Sequence, residues 1–435
     1  MNYNYLRYFS VLAQVEHYTL AAARLGISQP SLSSAIHNLE DELGGVKLFE
    51  KVGRNIRLTE EGRFFQEKVD TALQELNAAS VVLRDSMASA PVVIRLGVVS
   101  GTLNGTVAAK IAGYIKEIKP DTKISYIGTA DKLEAKLVPE KGYDFYTIDV
   151  AGFQRKPTPS NLIKNISAIK KAVVSSGDSK KYLKELKPDL VVGTGGYVSG
   201  PVLREAAKLG IKTAIHEQNA YPGMTTKMLS EKVDRVMLAM PEAQKYIKLN
   251  KKPTITGNPI RAELLKMTRE EARAKLGLDN RPLILSFGGS LGARRINEAV
   301  SELIKWHNGT EKFYHIHGTG KVGYDAMISS LSDINLSDII TVKEYINDMD
   351  VCMAAADLVI CRAGAITLGE LQACGKPSVL IPSPYVAENH QFHNAMTLKK
   401  AGAAEIIEEK DLSGDKLIDV VSHLIENKPR LEKMS

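Results

Sequence analysis

The stretch "LILSFGGSLGARRINEAV" (residues 283–300) reads as a strand, a glycine-rich turn and the start of a helix. Gly288, Gly289 and Gly292 let backbone N–H groups and the positive end of that helix come close to a diphosphate. A second turn, "LVVGTGGYVSGP" (190–201), also follows a strand. Either turn alone is ambiguous, because nicotinamide and flavin proteins share the pattern and a tight structural turn needs the same glycines. Outward from these turns the chain alternates short apolar runs with helical stretches. The runs lie at 92–99, 123–127, 144–148, 188–193, 211–215 and 233–238, then at 282–287, 313–317, 339–342, 357–361 and 377–381. Alternation on this scale predicts parallel sheets covered by helices on both faces. Pro253 to Pro259 forms a natural hinge, so we expect two α/β domains, 91–257 and 258–435, facing a cleft. Ligands of such sheets bind at the carboxyl ends of the strands.

The first ninety residues have a different texture. Residues 4–14 and 19–25 read as short helices with apolar faces (Leu6, Phe9, Leu12; Ala22, Leu25), and Gly26-Ile27 makes a turn. Ser28 is a good N-cap for a third helix with Pro30 in its first turn. Leu32, Ile36, Leu39 and Leu43 face inward, leaving Ser28, Gln29, Ser31, Ser33, Ser34 and His37 outward. That pattern is a helix-turn-helix whose third helix fits the major groove of DNA. Lys47, Lys51, Arg54 and Arg57 alternate with apolar residues in a β-wing placed to contact phosphates. After Thr59, the residues Phe65, Val69, Ala72, Leu76, Ala79 and Leu83 recur at heptad spacing. This predicts a long linker helix over 60–90 that pairs with a second copy of itself.

Composition narrows the partners. With 435 residues, 44% hydrophobic and 25% charged, the chain suits two or three packed domains rather than disorder. No apolar run reaches the roughly 18–20 residues of a membrane span, and no signal peptide opens the chain, so a cytoplasmic location is expected. Cys352, Cys361 and Cys374 have no metal-ligand spacing, which points to a reducing compartment. The net charge of +7 suggests an anionic partner. Residues 1–90 carry 9 basic and 11 acidic side chains, so the excess belongs to the longer part, and DNA alone does not account for it.

The run "LRYFSVLAQVEHYTLAAARLGISQPSLSSAIHNLEDELGGVKLFEKVGRNIRLTEEG" resembles the winged helix and linker helix of LysR-type regulators. Gly44-Gly45 and Ser34 depart from their usual pattern. Such regulators continue into an effector domain, of which only a first strand, Val92–Val99, is suggested here. From there on, "VGTGGYVSGP", "IHEQNAYPG" (215–223), "TGNPIR" (256–261), "SFGGSLGA", "EYINDM" (344–349), "CRAGAITLGEL" (361–371), "GKPSVLIPSP" (375–384) and "ENHQFHNA" (388–395) occur in the order and spacing of MurG-type transferases. That resemblance implies a GT-B architecture of two Rossmann-like domains. It also implies UDP-N-acetylglucosamine as donor and undecaprenyl-diphospho-muramoylpentapeptide (lipid I) as acceptor, with no cofactor and no metal.

The same resemblance, with the chemistry of each side chain, assigns roles. Ser290 and the amides of Gly289 to Ala293 would hold the diphosphate. Arg261 would neutralise the departing diphosphate, and Glu370 would accept both ribose hydroxyls. Ile346 would give uracil backbone contacts, and Asn219 and Gln391 would read sugar hydroxyls. His216 and Glu217 are the titratable candidates for handling the acceptor's proton, with a structural role an equal alternative for His216. The family's first loop, of the form GGTxGHxxPA, is altered. Here the stretch is "LGVVSGTLNGTVAAKIAGYI" (96–115), and Thr106 falls where the histidine belongs. A threonine hydroxyl is no base near neutral pH.

Three readings are open: an inverting transferase of reduced rate, a DNA-binding regulator that senses UDP-sugar, and an inactive chimera. We rank the first highest. Leu162, Ile163, Ile166, Ile169 and Val173, beside Lys164, Lys170 and Lys171, form a stripe suited to an anionic membrane surface at the inner face.

Overall fold

The structure, a computed structural model, describes residues 2–52, 55–86, 95–99, 105–132, 134–150, 159–289 and 291–435; at 52, 55, 74–86, 95–99, 105–106, 159–170 and 172–173 it describes the backbone alone. The chain divides into two compact units, Met1–Val92 and Val93–Ser435.

The first unit contains α1 (Tyr3–Val15), α2 (Tyr18–Leu25), α3 (Gln29–Glu42), an antiparallel pair β1 (Phe49–Val52) and β2 (Asn55–Leu58), and α4 (Glu60–Ser86). Gly26 ends α2 in the left-handed conformation (φ 68°), and Ser28 Oγ accepts the Ser31 N–H at 3.2 Å to start α3. Phe9, Leu12, Leu32, Ile36 and Leu39 are buried in one core. Glu40 ties the wing to α3, accepting from Leu48 N at 2.9 Å and Lys47 Nζ at 2.6 Å. The heptad expectation needs one correction. Val69 is buried in the unit's own core and the Phe65 ring packs tilted against Phe9 with centroids 5.3 Å apart, so the start of the seam packs inward. Leu76, Ala79 and Leu83 have side chains outside the described residues.

The second unit holds two sheets. One contains β3 (Arg95–Val99), β4 (Lys123–Gly128), β5 (Asp144–Thr147), β6 (Leu190–Gly193), β7 (Lys212–Glu217), β8 (Arg235–Leu238) and β9 (Thr254–Ile255). The other contains β10 (Leu283–Phe287), β11 (Tyr314–Gly318), β12 (Ile340–Lys343), β13 (Leu358–Cys361), β14 (Ser378–Leu380) and β15 (Ala404–Ile406). Their orders are β5-β4-β3-β6-β7-β8-β9 and β12-β11-β10-β13-β14-β15, and every pairing is parallel. Each apolar run read from the sequence carries a strand; the short β9 and β15 escaped notice because two or three residues give no pattern. In both sheets the strand order reverses beside the first strand, at β3/β6 and at β10/β13, which is where such folds open a crevice for ligands.

β10 explains its own position. Leu283, Ile284 and Leu285 are fully buried, as a strand covered on both faces requires. The helix Arg294–His307 lays Ile296, Val300, Leu303 and Ile304 against it, each side chain contributing about 1.5–3 kcal/mol by leaving water. Polar groups also lie in this core. Ser286 Oγ sits 2.8 Å from His315 Nε2 and 2.7 Å from His317 Nδ1, and His307 stacks on Phe313 at 4.1 Å. Burial pushes His307 and His317 down to about 4 and His315 well below the ordinary 6.5. No described helix is long and apolar enough to cross a membrane.

Candidate functional site

At the carboxyl end of β10 the chain must turn sharply into the helix Arg294–His307. Gly289 and Gly292 have φ of 96° and 82°, a region that only glycine enters freely. A Cβ on Gly288 would strike the Ala293 amide, and one on Gly292 would strike the Thr319 carbonyl. The turn is therefore built from bare backbone. The helix after it has Ala293 as N-cap with no side-chain cap, so its first N–H groups are left for another acceptor. Ser290 lies outside the described residues.

Beside it, β13 leads through "RAGA" into the helix Ala365–Ala373, which carries Glu370. Arg261 reaches Glu370 with a two-pronged grip, Nε to Oε1 at 2.8 Å and Nη2 to Oε2 at 3.1 Å. The Glu370 side chain is 8% exposed and that of Arg261 45%. The hydrogen bond to Glu370 holds the Arg261 pKa above its ordinary value. Ile346 packs its side chain into the core, which leaves only its backbone for a ligand.

The third wall is the loop after β7. Glu217 is buried and saturated: Oε1 accepts from Asn219 N and Nδ2, both at 3.1 Å, while Oε2 accepts from Gly223 N at 3.0 Å and Thr226 Oγ1 at 2.6 Å. His216 is buried too. Its Nε2 lies 3.1 Å from the Gly257 carbonyl, which can only accept, so Nε2 carries the proton. Nδ1 then accepts from Gln218 Nε2 at 3.0 Å, and burial lowers the imidazole pKa. Both proton-handling candidates are thus engaged in holding the loop together.

Two asparagines, Asn394 buried and Asn258 half-buried, join these walls. Asn394 Oδ1 accepts from Ala220 N at 2.8 Å, and its Nδ2 donates to Asn219 Oδ1 at 3.0 Å and the Ala363 carbonyl at 3.3 Å. Asn258 Nδ2 donates to the carbonyls of Gln218 and Ala365, each at 3.1 Å. The segments containing Asn219, Arg261, Glu370 and Gln391 are thereby brought to one place. Gln391 stands one helical turn before Asn394; its Oε1 accepts from Ser383 N at 2.9 Å. Lys110 Nζ donates to the Ile260 carbonyl, so the helix Gly105–Ile118 also reaches this turn. Sequence reasoning missed Asn258, Asn394 and Lys110, although both asparagines stand inside motifs it had singled out.

With this geometry in view, residues 105–238 match the Glycosyltransferase family 28 N-terminal domain and residues 283–435 its C-terminal domain. A protein of Acetivibrio thermocellus, named UDP-N-acetylglucosamine--N-acetylmuramyl-(pentapeptide) pyrophosphoryl-undecaprenol N-acetylglucosamine transferase, is 47% identical over 345 residues, 79% of this chain and 92% of that protein. The chain belongs to the MurG-type branch of glycosyltransferase family 28. The relative of the same name from Ruminiclostridium cellulolyticum is 45% identical over 79% of this chain and 93% of its own length. The crystal structure of Acinetobacter baumannii MurG is 28% identical, with a TM-score of 0.64 over 78% of this chain and 93% of that one.

The MurG-type part is joined to something else. Residues 3–63 match the bacterial regulatory helix-turn-helix proteins of the lysR family. On α3, Ser28, Gln29, Ser31, Ser33, Ser34 and His37 are exposed, while Arg54 lies outside the described residues. The wing residues Lys47, Lys51 and Arg57 are exposed. In the transferase's first loop, residues 100–104 and the Thr106 side chain lie outside the described residues. So do the side chains of Leu162, Ile163, Lys164, Ile166, Ile169, Lys170 and Val173.

Proposed function

We propose that the chain is an inverting N-acetylglucosaminyltransferase that moves the sugar of UDP-N-acetylglucosamine onto lipid I, giving lipid II in peptidoglycan synthesis. The observation that carries this reading is the meeting of the four segments bearing Asn219, Arg261, Glu370 and Gln391, tied by Asn258 and Asn394. The donor's diphosphate would sit on the amides of the 288–293 turn with Ser290, and its ribose on Glu370. Uracil would lie against the backbone at Ile346, and the sugar against Asn219 and Gln391. The reaction displaces UDP from C1 by the 4-hydroxyl of muramic acid. It needs charge stabilisation for the leaving diphosphate, which Arg261 supplies, and a base for the hydroxyl.

The base is where this chain is weak. Thr106 replaces the expected histidine, and neither His216 nor Glu217 has a free site without rearrangement, so transfer is slow. Purified full-length chain, given labelled donor and lipid acceptor, should form labelled lipid product. Absence of product even after repair of the first loop would sink the reading.

A second reading rests on the lysR-family match and the exposed polar face of α3. Residues 1–59 would bind DNA, and 60–90 would self-associate through Leu76, Ala79 and Leu83. That outward face carries no arginine or lysine, which limits affinity, since phosphate contacts supply much of it. A gel-shift series on random duplexes with no retardation at low salt would dismiss DNA binding, and a monomer in sedimentation would dismiss pairing. We place 91–257 on the acceptor side and 258–435 on the donor side. The protein would sit at the inner face of the cell membrane, and equal flotation with neutral and anionic vesicles would refute that.

A further inference from the structure

The two charged residues assigned to the donor hold each other. Glu370 is enclosed in protein, and both its oxygens are taken by Arg261 at 2.8 and 3.1 Å. Arg261, nearly half exposed, lies on the solvent side of the pair. A ribose that is to bond to Glu370 must approach from where the guanidinium already sits. Resting on the donor-site reading above, we propose that Arg261 and Glu370 form an exchange pair that selects ligands carrying both a vicinal diol and a diphosphate.

The selection comes from counting charge-assisted bonds. A diol alone would have to split the fork and leave the guanidinium without its partner. A diphosphate alone would draw Arg261 away and leave a buried carboxylate unpaired, which is costlier still. Only a ligand with both groups conserves the count, because the diol satisfies Glu370 as the diphosphate receives the freed guanidinium. The leaving-group cation is thus released only when the nucleoside is seated. Arg261 stays charged through the exchange, because a guanidinium is not deprotonated in proteins.

The test uses full-length protein and two probes, uridine and UDP, titrated in parallel by ligand-observed NMR, with folding of each variant checked by circular dichroism. Arg261→Ala removes the competitor for Glu370, so uridine should bind roughly tenfold more tightly, while UDP loses roughly tenfold. Arg261→Lys keeps a cation but cannot make the fork; it should gain uridine affinity while losing less for UDP than the alanine variant does. Opposite signs for the two probes are the signature, because a merely structural ion pair would weaken both together. Parallel shifts of uridine and UDP in both variants overturn the exchange and leave the donor site standing. If the unmodified chain binds neither probe, the donor-site reading fails, and this proposal with it.

Discussion

β3 and β10 hold the same place in two sheets of the same order, yet they lead into different loops. β10 runs into Gly288, Gly289 and Gly292, which fit a turn closed against Thr319 and leave helix amides uncapped. β3 comes from the stretch that resembles the start of a regulator's effector domain, and the segment after it lacks the histidine of the family's loop. The sheet accepts β3 all the same: Leu96 pairs with both Ile124 and Leu190, and Val99 with both Ile127 and Gly193. A central parallel strand needs only a suitable apolar run and backbone hydrogen bonds, which many sequences supply. A ligand loop needs particular atoms. A sheet therefore accepts a foreign-looking strand more readily than a ligand loop accepts different atoms.

The largest effect expected from this contrast concerns acid. The β10 sheet buries His307, His315 and His317, whereas the described histidine buried in the β3 sheet is His216. Their native pKa values lie below the ordinary 6.5, so between 6.5 and about 4 the unfolded chain binds more protons than the folded one. Stability from these groups is full above pH 6.5 and drains away as pH falls toward 4. For His307 and for His317 the loss approaches about 3 kcal/mol. Hydrogen exchange at pH 7 and pH 4.5 should show the β10 sheet losing protection first. Equal loss in both sheets would break the comparison.

Next in size is the first loop. Losing a general base typically costs 10²–10⁴ in rate, and lost amide contacts to the diphosphate add to that. Thr106→His should recover part of the rate, and a GGTxGHxxPA loop in place of residues 100–109 should recover more. Parent and variants would be compared by transfer of labelled sugar to the lipid acceptor. A parent already as fast as the loop-repaired chain would mean that β3 and its altered loop serve as well as the original.

How far all this was legible obeys the same division. Strand and helix placement came from local apolar pattern, so the fold was readable, including the strand Arg95–Val99 inside a run of unrelated resemblance. Segments bearing site residues were readable as motifs. Pairing was not. Arg261 and Glu370 are 109 residues apart, and each was assigned to the ligand because nothing in a linear sequence says that they meet. The histidine trio was passed over for a like reason: β11 turns His315 and His317 inward to share Ser286, which alternation alone cannot distinguish from ligand-facing positions.

The smallest effect tests whether the β3 half takes part in binding or only supports it. Asn394 belongs to the β10 half, yet two of its three bonds go to Asn219 and Ala220 in the other. It fixes the Asn219 amide so that Oδ1 faces Asn394 and Nδ2 faces Glu217. Asn394→Ala leaves the buried Ala220 N–H unpaired and should cost about 1–3 kcal/mol of stability. Asn394→Asp keeps an acceptor for Ala220 but cannot donate to Asn219, so it separates anchoring from orientation. If Asn219 reads the donor sugar, both variants should raise KM for UDP-N-acetylglucosamine while UDP, which lacks the sugar, binds as before. A chain that loses stability with KM unchanged would reduce Asn394 to a fastener and remove Asn219 from the sugar site.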